Sequence, residues 1–272
     1  MTQFALLIIG TLIARPLWAQ GDLKVLTGNE AIKLFVYAGK PVHPFCLGFP
    51  LGGSSRKEPV ELAKCTDSKV VPKSPGEGWL EAEYPRTEGD FFISQPPYVS
   101  YGILAKKGDR FLVATDSSGG GSGQFSALLW VRLTDKDISV ARDEVGGDRC
   151  AGGLSDYVEG GAAVRFSVST TTAEIVALSG VNLASTVRDK LRDGYRNCDG
   201  TARYSYDLVS EKMELSSLEL SVPESTEPAT SGDPQSCFDQ LARQYDKNNK
   251  LRLTPEELKQ FGQAFLSTCG KQ

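Results

Sequence analysis

Histidine is almost missing from this chain: His43, in "GKPVHPFC", is the only one in 272 residues. A single histidine excludes zinc centres built on clustered imidazoles. It leaves a Ser–His–Asp or Cys–His apparatus one possible base, and no nucleophile signature accompanies it. G-x-S-x-G, for instance, is absent around Ser122. His43 therefore reads as an ordinary loop histidine. C-x-x-C spacing is absent as well, which removes zinc ribbons and thioredoxin-like redox motifs. No run of Lys or Arg stands out and the net charge is −4, which argues against nucleic-acid binding through a basic patch. No internal repeat is visible.

No apolar run is long enough to span a bilayer. Phe4–Ala14 is an unbroken stretch of apolar and small residues, too short for a transmembrane helix but suited to the core of a signal peptide. A signal peptide of residues 1–19 is expected, cut between Ala19 and "QGDLK". No cysteine follows the cut, so no lipoprotein anchor is suggested. The expected location is periplasmic or secreted, with no membrane span after signal removal.

What is present supports a full core: 40% hydrophobic and 24% charged residues are ordinary for a globular chain. The six cysteines, Cys46, Cys65, Cys150, Cys198, Cys237 and Cys269, all follow the expected cut. An even count in an exported chain argues for disulfides. Many connectivities are open; the sequential one, 46–65, 150–198 and 237–269, fits the organisation best.

That organisation turns on "SVPESTEPATSGDPQS", which is rich in Pro, Ser and Thr and has no apolar period. It reads as a flexible linker, 223–235, between a β-rich domain of 20–222 and a unit of 236–272. In the first, strands are expected at 110–116, 124–133, 164–169, 202–209 and 213–222. In 124–133 both alternating sets are apolar, the mark of a central strand buried on two sides. In 213–222 Met213 and Leu215 have one parity and Leu218, Leu220 and Val222 the other, so a bulge is expected near Ser216–Ser217. Helices are expected at 28–38, 171–179 and 185–195, the second with a Thr171–Glu174 capping box. The expected fold is mainly β within an α+β class: an antiparallel sandwich or barrel-like domain with few short helices, plus a small helical C-terminal unit.

In the C-terminal unit, Phe238, Leu241, Ala242 and Tyr245 recur at helical spacing before "DKNNKLRLTPEE", and Leu258, Phe261 and Phe265 recur after it. Loop and flanks together resemble an EF-hand over residues 237–268. The resemblance implies a calcium ligand set of Asp246, Asn248, Lys250, Arg252 through its carbonyl, Thr254 and Glu257. Two positions depart from the pattern. Lys250 is a cation where an oxygen ligand belongs, and Leu251 stands where the family uses glycine for a sharp turn. Any ion held here is expected to be weakly bound, in the extracellular class. A Cys237–Cys269 bridge would join the far ends of the helices and favour a closed hand.

Two glycine-rich stretches are the candidate site of the main domain. "TDSSGGGSGQFS" offers Asp116 and Ser118; it is not a P-loop, because no Lys follows and a strand comes next. "GGDRCAGGLSDY" offers Asp148 and Arg149 beside Cys150. Both also read as structural turns, the second pinned by a disulfide. Their convergence at one end of the β domain is the functional expectation. Paired carboxylates are a further possibility, but 34 Asp plus Glu give no pattern that selects two. The leading expectation is an exported binding protein with a protein partner in the cell envelope or outside the cell, of inhibitor or immunity type. The alternatives are a secreted hydrolase and a calcium-responsive adaptor.

Overall fold

The computed structural model of the chain describes residues 23–26, 28–47, 58–66, 69–76, 78–85, 96–121, 123–160, 162–191, 198–222 and 233–269. The expected signal peptide and residues 223–232 of the expected linker lie outside them. The chain begins with β1 (Leu23–Val25), α1 (Gly28–Leu34), β2 (Val36–Tyr37), β3 (Lys40–Pro41), a 3-10 turn (Pro44–Leu47), β4 (Val60–Glu61) and α2 (Leu62–Cys65). Long strands follow: β5 (Trp79–Glu83), β6 (Tyr98–Lys107), β7 (Arg110–Ser118), β8 (Gln124–Leu133) and β9 (Asp137–Asp148). Then come β10 (Leu154–Gly160), β11 (Ala163–Thr170), α3 (Thr172–Leu178), α4 (Ser185–Arg188), β12 (Gly200–Asp207) and β13 (Lys212–Leu220). The chain closes with α5 (Pro234–Lys247), β14 (Arg252–Leu253) and α6 (Pro255–Cys269).

The strands form two main antiparallel sheets, so the fold is mainly β within the α+β class. The first has the order β1-β6-β7-β8-β9-β4, with β5 beside β6 beyond the reach of β1. The second has the order β10-β11-β12-β13-β14. The first sheet is covered on both faces, which is why β8 is apolar on both parities. On its outer face Ala127, Leu129 and Val131 meet Ala31 of α1, Phe35 just after it, Leu47 of the 3-10 turn and Leu62 of α2. Phe35 lies edge-on to Tyr101 and Phe111. The buried Tyr101 hydroxyl donates to the Val42 carbonyl at 2.7 Å, which avoids the cost of an unpaired polar atom. The Cys46–Cys65 disulfide ties the 3-10 turn to α2.

On the inner face Leu112, Leu128 and Trp130 pack against Val164, Phe166 and Tyr206 of the second sheet. The second sheet has one apolar face, and the first sheet covers only part of it. Ala202, Leu218, Leu220 and Leu253 are covered instead by Ile175 of α3, Phe238 of α5 and Phe261 and Phe265 of α6. The C-terminal unit thus shares a core with the β domain. Its short strand β14 is the fifth strand of the second sheet, with Leu253 opposite Leu218. Cys237–Cys269 closes the outer ends of α5 and α6.

The expected bulge is present. Arg203 pairs with Ser217 and Tyr204 with Leu215, so Ser216 is the extra residue. It lets Leu215 and Leu218 both face the core despite their opposite parity. The capping box of α3 forms: Glu174 N–H donates to Thr171 Oγ1 and Thr171 N–H to Glu174 Oε2. The three disulfides follow the sequential pairing. Helix α1 stops at Leu34, short of the expected 28–38, because Val36–Pro41 folds back as the β2–β3 hairpin through Ala38 and Gly39, both at positive φ. Of the helix expected at 185–195, Ser185–Arg188 is the helical part among the described residues; residues 192–195 lie outside them.

Candidate functional site

The inner face of the first sheet changes character along its strands. One cross-strand row runs Trp79, Gly102, Ala114, Leu128 and is apolar. The next row outward runs Glu81, Ser100, Asp116, Ser126, and the one beyond it Glu83, Tyr98, Ser118, Gln124. A polar row cannot be buried against a second sheet without partners. Here the two sheets part, and a cavity of about 520 Å³ opens between them. The first sheet supplies Glu81, Tyr98, Ser100, Asp116 and Ser126; the second supplies Leu154 and Tyr157 from β10 and Ser169 from β11. Gly102 permits the Trp79 wall, since a Cβ there would stand 3.1 Å from the indole. Trp79 in turn meets the Tyr157 ring at 5.9 Å between centroids.

Asp116 is the central group. The Tyr98 hydroxyl donates to its Oδ2 at 3.0 Å. Burial pushes the Asp116 carboxyl above the ordinary aspartate range; the negative charge of Glu81 adds to this, and the Tyr98 hydrogen bond opposes it without winning. Burial, reinforced by the Asp116 charge, holds the Tyr98 and Tyr157 hydroxyls protonated, as donors. Glu81 differs from Asp116 in having a cation, Lys73 Nζ at 3.3 Å. Among the described residues Asp116 has none.

Arg149 stands at the rim on a loop that folds tightly on itself. A Cβ at Gly147 would lie 1.8 Å from the Ala151 carbonyl oxygen, and one at Gly153 would lie 2.3 Å from that of Arg149. The glycine pairs of "GGDRCAGG" are therefore required by close backbone approach. Cys150–Cys198 fastens the loop just ahead of β12. Arg149 N–H donates to the Gln124 carbonyl at 2.9 Å, and Gln124 N–H donates to Asp148 Oδ1 at 3.2 Å.

The two glycine-rich stretches do converge, and their four candidate residues divide. Asp116 and Arg149 line the cavity. Ser118 and Asp148 build the loops instead. Ser118 Oγ accepts from Gly120 N–H at 3.2 Å and donates to the Gly123 carbonyl at 3.0 Å, closing the β7–β8 hairpin. Sequence reasoning missed Trp79, Glu81, Tyr98, Ser100, Ser126 and Tyr157. Its usable signal was the strand period: Asp116 and Ser126 face each other across a hairpin whose loop is visible in the sequence. His43 is elsewhere, its Nε2 3.2 Å from the Val70 carbonyl.

The opposite end of the sandwich also holds buried charge. Glu211, at φ 54° in the β12–β13 turn, accepts from Lys107 Nζ and Arg110 at 2.7 Å each and lies 3.3 Å from Arg142. Arg142 and the Trp130 indole N–H both donate to the Tyr206 hydroxyl, which donates to Glu144. Arg110 also lies over the Trp130 ring, 5.0 Å from its centroid. Burial alone would raise the Glu211 carboxyl, but Arg110 and Lys107 hold it down at about 2.

The EF-hand-like loop uses its side chains within the chain. Asp246 is exposed in the last turn of α5, and Asn248 Nδ2 donates to the Gln244 carbonyl at 2.9 Å. The left-handed residue is Asn249, at φ 54°; asparagine tolerates that region better than Leu251, two residues on, would. Arg252 is in β14, its Nε donating to Ser217 Oγ at 3.3 Å. Thr254 N–H and Oγ1 both donate to Glu257 Oε2 at 2.9 Å, a capping box at the start of α6. Those hydrogen bonds lower the Glu257 carboxyl. Lys250 is exposed. Among the described residues no group of three or more His, Cys, Asp or Glu is placed to hold a metal ion. Asn248, Arg252, Thr254 and Glu257 thus have side-chain partners within the chain, while Asp246 and Lys250 are exposed.

No family model, curated protein or solved structure matches the chain.

Proposed function

We propose that this chain is a non-enzymatic binding protein of an oxidising compartment, periplasmic or extracellular, which receives a polar group of its partner in the open end of the sandwich. The observation that carries this reading is the cavity itself. A polar row of the inner sheet face, three aromatic rings and a rim arginine are gathered there, while the lining has no histidine and its cysteine is in a disulfide. Such a lining can recognise, but it lacks the histidine base of a hydrolytic triad. The three disulfides fit the compartment, and among the described residues no helix is long and apolar enough to cross a membrane. A protein partner in the envelope or outside the cell, bound in the manner of an inhibitor or immunity protein, suits a preformed cavity on a disulfide-fastened frame.

The test is capture of the partner from envelope and culture fractions by the processed protein, alongside Asp116→Asn and Arg149→Gln. Capture of one stoichiometric protein that both variants lose is the expected result. Equal capture by all three proteins would place the binding surface elsewhere and end this reading.

One observation favours a second reading. The fold selects two carboxylates, Glu81 and Asp116, for the same cavity. They sit two strands apart, roughly 10 Å between Cα atoms, a spacing within reach of an inverting glycosidase pair. Turnover on a glycan panel, abolished by Glu81→Gln and by Asp116→Asn alike, would replace the binding reading with a hydrolase.

A further inference from the structure

The charges around the cavity are not equally provided for. Glu81 and Glu83 share Lys73. Asp116 has only neutral donors, the Tyr98 hydroxyl and the Ser117 backbone N–H. Arg149, exposed at the rim, has no ion-pair or hydrogen-bond partner for its guanidinium among the described residues. One acid at the floor and one base at the rim thus lack counterions, and the walls between them are the rings of Trp79, Tyr98 and Tyr157.

A ligand that fills the cavity expels water from both groups. A neutral polyol would leave an ionised Asp116 buried without compensation, which is strongly unfavourable. An ammonium would supply a charge-assisted hydrogen bond and meet the aromatic rings as a cation. An anionic outer end would do the same for Arg149, whose planar fork suits a carboxylate. The geometry points to a zwitterionic ligand of amino-acid type, with its ammonium against Asp116 and its anion against Arg149. This rests on the binding reading above and names the group received. The same chemistry is offered by a free amino-acid-like molecule and by a partner chain ending in lysine.

The proton bookkeeping separates this class from a neutral one. Asp116 faces Glu81 on β5, Tyr98 on β6, Tyr157 on β10 and Arg149 on the rim loop, with Lys73 against Glu81. Its carboxyl is raised, so it takes up a proton at a higher pH than an ordinary aspartate does. An ammonium needs the ionised form, so its affinity rises with pH, by at most about tenfold per unit, until Asp116 is fully ionised. A neutral ligand that accepts from the protonated acid shows the opposite slope.

The experiment is calorimetric titration of the full processed protein with 6-aminohexanoate, hexylammonium, hexanoate, methyl glucoside and an acetylated tripeptide ending in lysine. Each is run between pH 4 and 8, a range chosen to span carboxylate titration. The expected order places the two zwitterions above hexylammonium, with hexanoate and methyl glucoside weakest. Asp116→Asn should cost the zwitterions about 10- to 100-fold, the worth of a hydrogen bond to a charged group, and flatten the pH profile. Arg149→Gln, an exposed change that leaves the core untouched, should reduce 6-aminohexanoate to the level of hexylammonium. Tighter binding of the tripeptide than of 6-aminohexanoate assigns the source to a partner chain terminus; equal binding assigns it to the free zwitterion. Methyl glucoside binding best, or affinity falling as pH rises, overturns the zwitterion and leaves the binding reading standing. If no probe binds while partner capture still depends on Asp116 and Arg149, the ligand class alone is wrong. If capture is also independent of them, both readings fail together.

Discussion

The two sheets close on each other at one end and part at the other, and both ends carry carboxylates below the surface. At the closed end Glu211 is gripped by Lys107, Arg110 and Arg142, from three strands of the facing sheet. Its side chain is 14% exposed, and its carboxyl is held at about 2. At the open end Asp116 faces water and tyrosine, and its carboxyl is pushed the other way. Burial acts on both in the same direction. What differs is the supply of cations. A buried acid with all its counterions is a fastening; a buried acid without one is held at a cost that the fold alone does not repay, and such groups gather where ligands bind. The contrast supports the proposed division, structure at one end and recognition at the other.

The largest effect should come from the closed end. Glu211→Ala leaves Lys107 and Arg110 without their shared anion while Arg142 keeps Glu144, and removing one partner of a buried pair costs about 3 kcal/mol or more. For a chain of this size that is a fall of roughly 6–12 °C in thermal midpoint. Ligand or partner affinity at the other end should stay within about threefold, because well-separated sites behave additively. An unchanged midpoint would show that the Glu211 cluster is not a fastening, and the two ends would lose their distinction.

How much of either end was legible in the sequence depends on what sets it. Strand β8 announces itself, because both alternating sets of 124–133 are apolar. The Ser216 bulge follows from a parity switch within β13, and the sequential disulfides follow from organisation. All three are local. The site is not: Glu81, Ser100, Asp116 and Ser126 come from four strands and are brought level by register. Register depends on bulges and turn lengths that composition does not reveal. Strand β6 was missed because burial on both faces, interrupted by Ser100 and Gly102, leaves no alternation to detect. The strand that joins the EF-hand-like unit to the second sheet has two paired residues, Arg252 and Leu253, too few for any pattern.

Acid should act on the closed end next. A carboxyl held at about 2 in the folded chain but near the ordinary glutamate value when unfolded contributes stability that is complete above that ordinary value. The contribution is lost as pH falls from the ordinary glutamate range toward about 2, because the unfolded chain takes up the proton first. Chemical denaturation at a series of pH values should show the parent losing stability through this window more steeply than Glu211→Gln. Parallel curves would mean that Lys107 and Arg110 do not hold Glu211 in solution.

The smallest effect should come from the open end, with the opposite sign. Asp116 is raised in the folded chain, so its ionised form opposes folding above that value, and the opposition fades as pH falls toward the unfolded value. Asp116→Asn removes the charge and keeps an oxygen able to accept from Tyr98. It should therefore stabilise the protein by about 1 kcal/mol at neutral pH, in the range of other changes that relieve a functional strain. The gain over the parent should shrink as the solution is acidified and the parent's own Asp116 becomes neutral. Denaturation of the two proteins side by side at neutral and acidic pH reads this difference directly. A variant less stable than the parent at neutral pH would mean that Asp116 is ionised to the benefit of the fold, with a cation in reach after all. The open end would then be a second fastening, and the case for a ligand there would fall with the comparison that supports it.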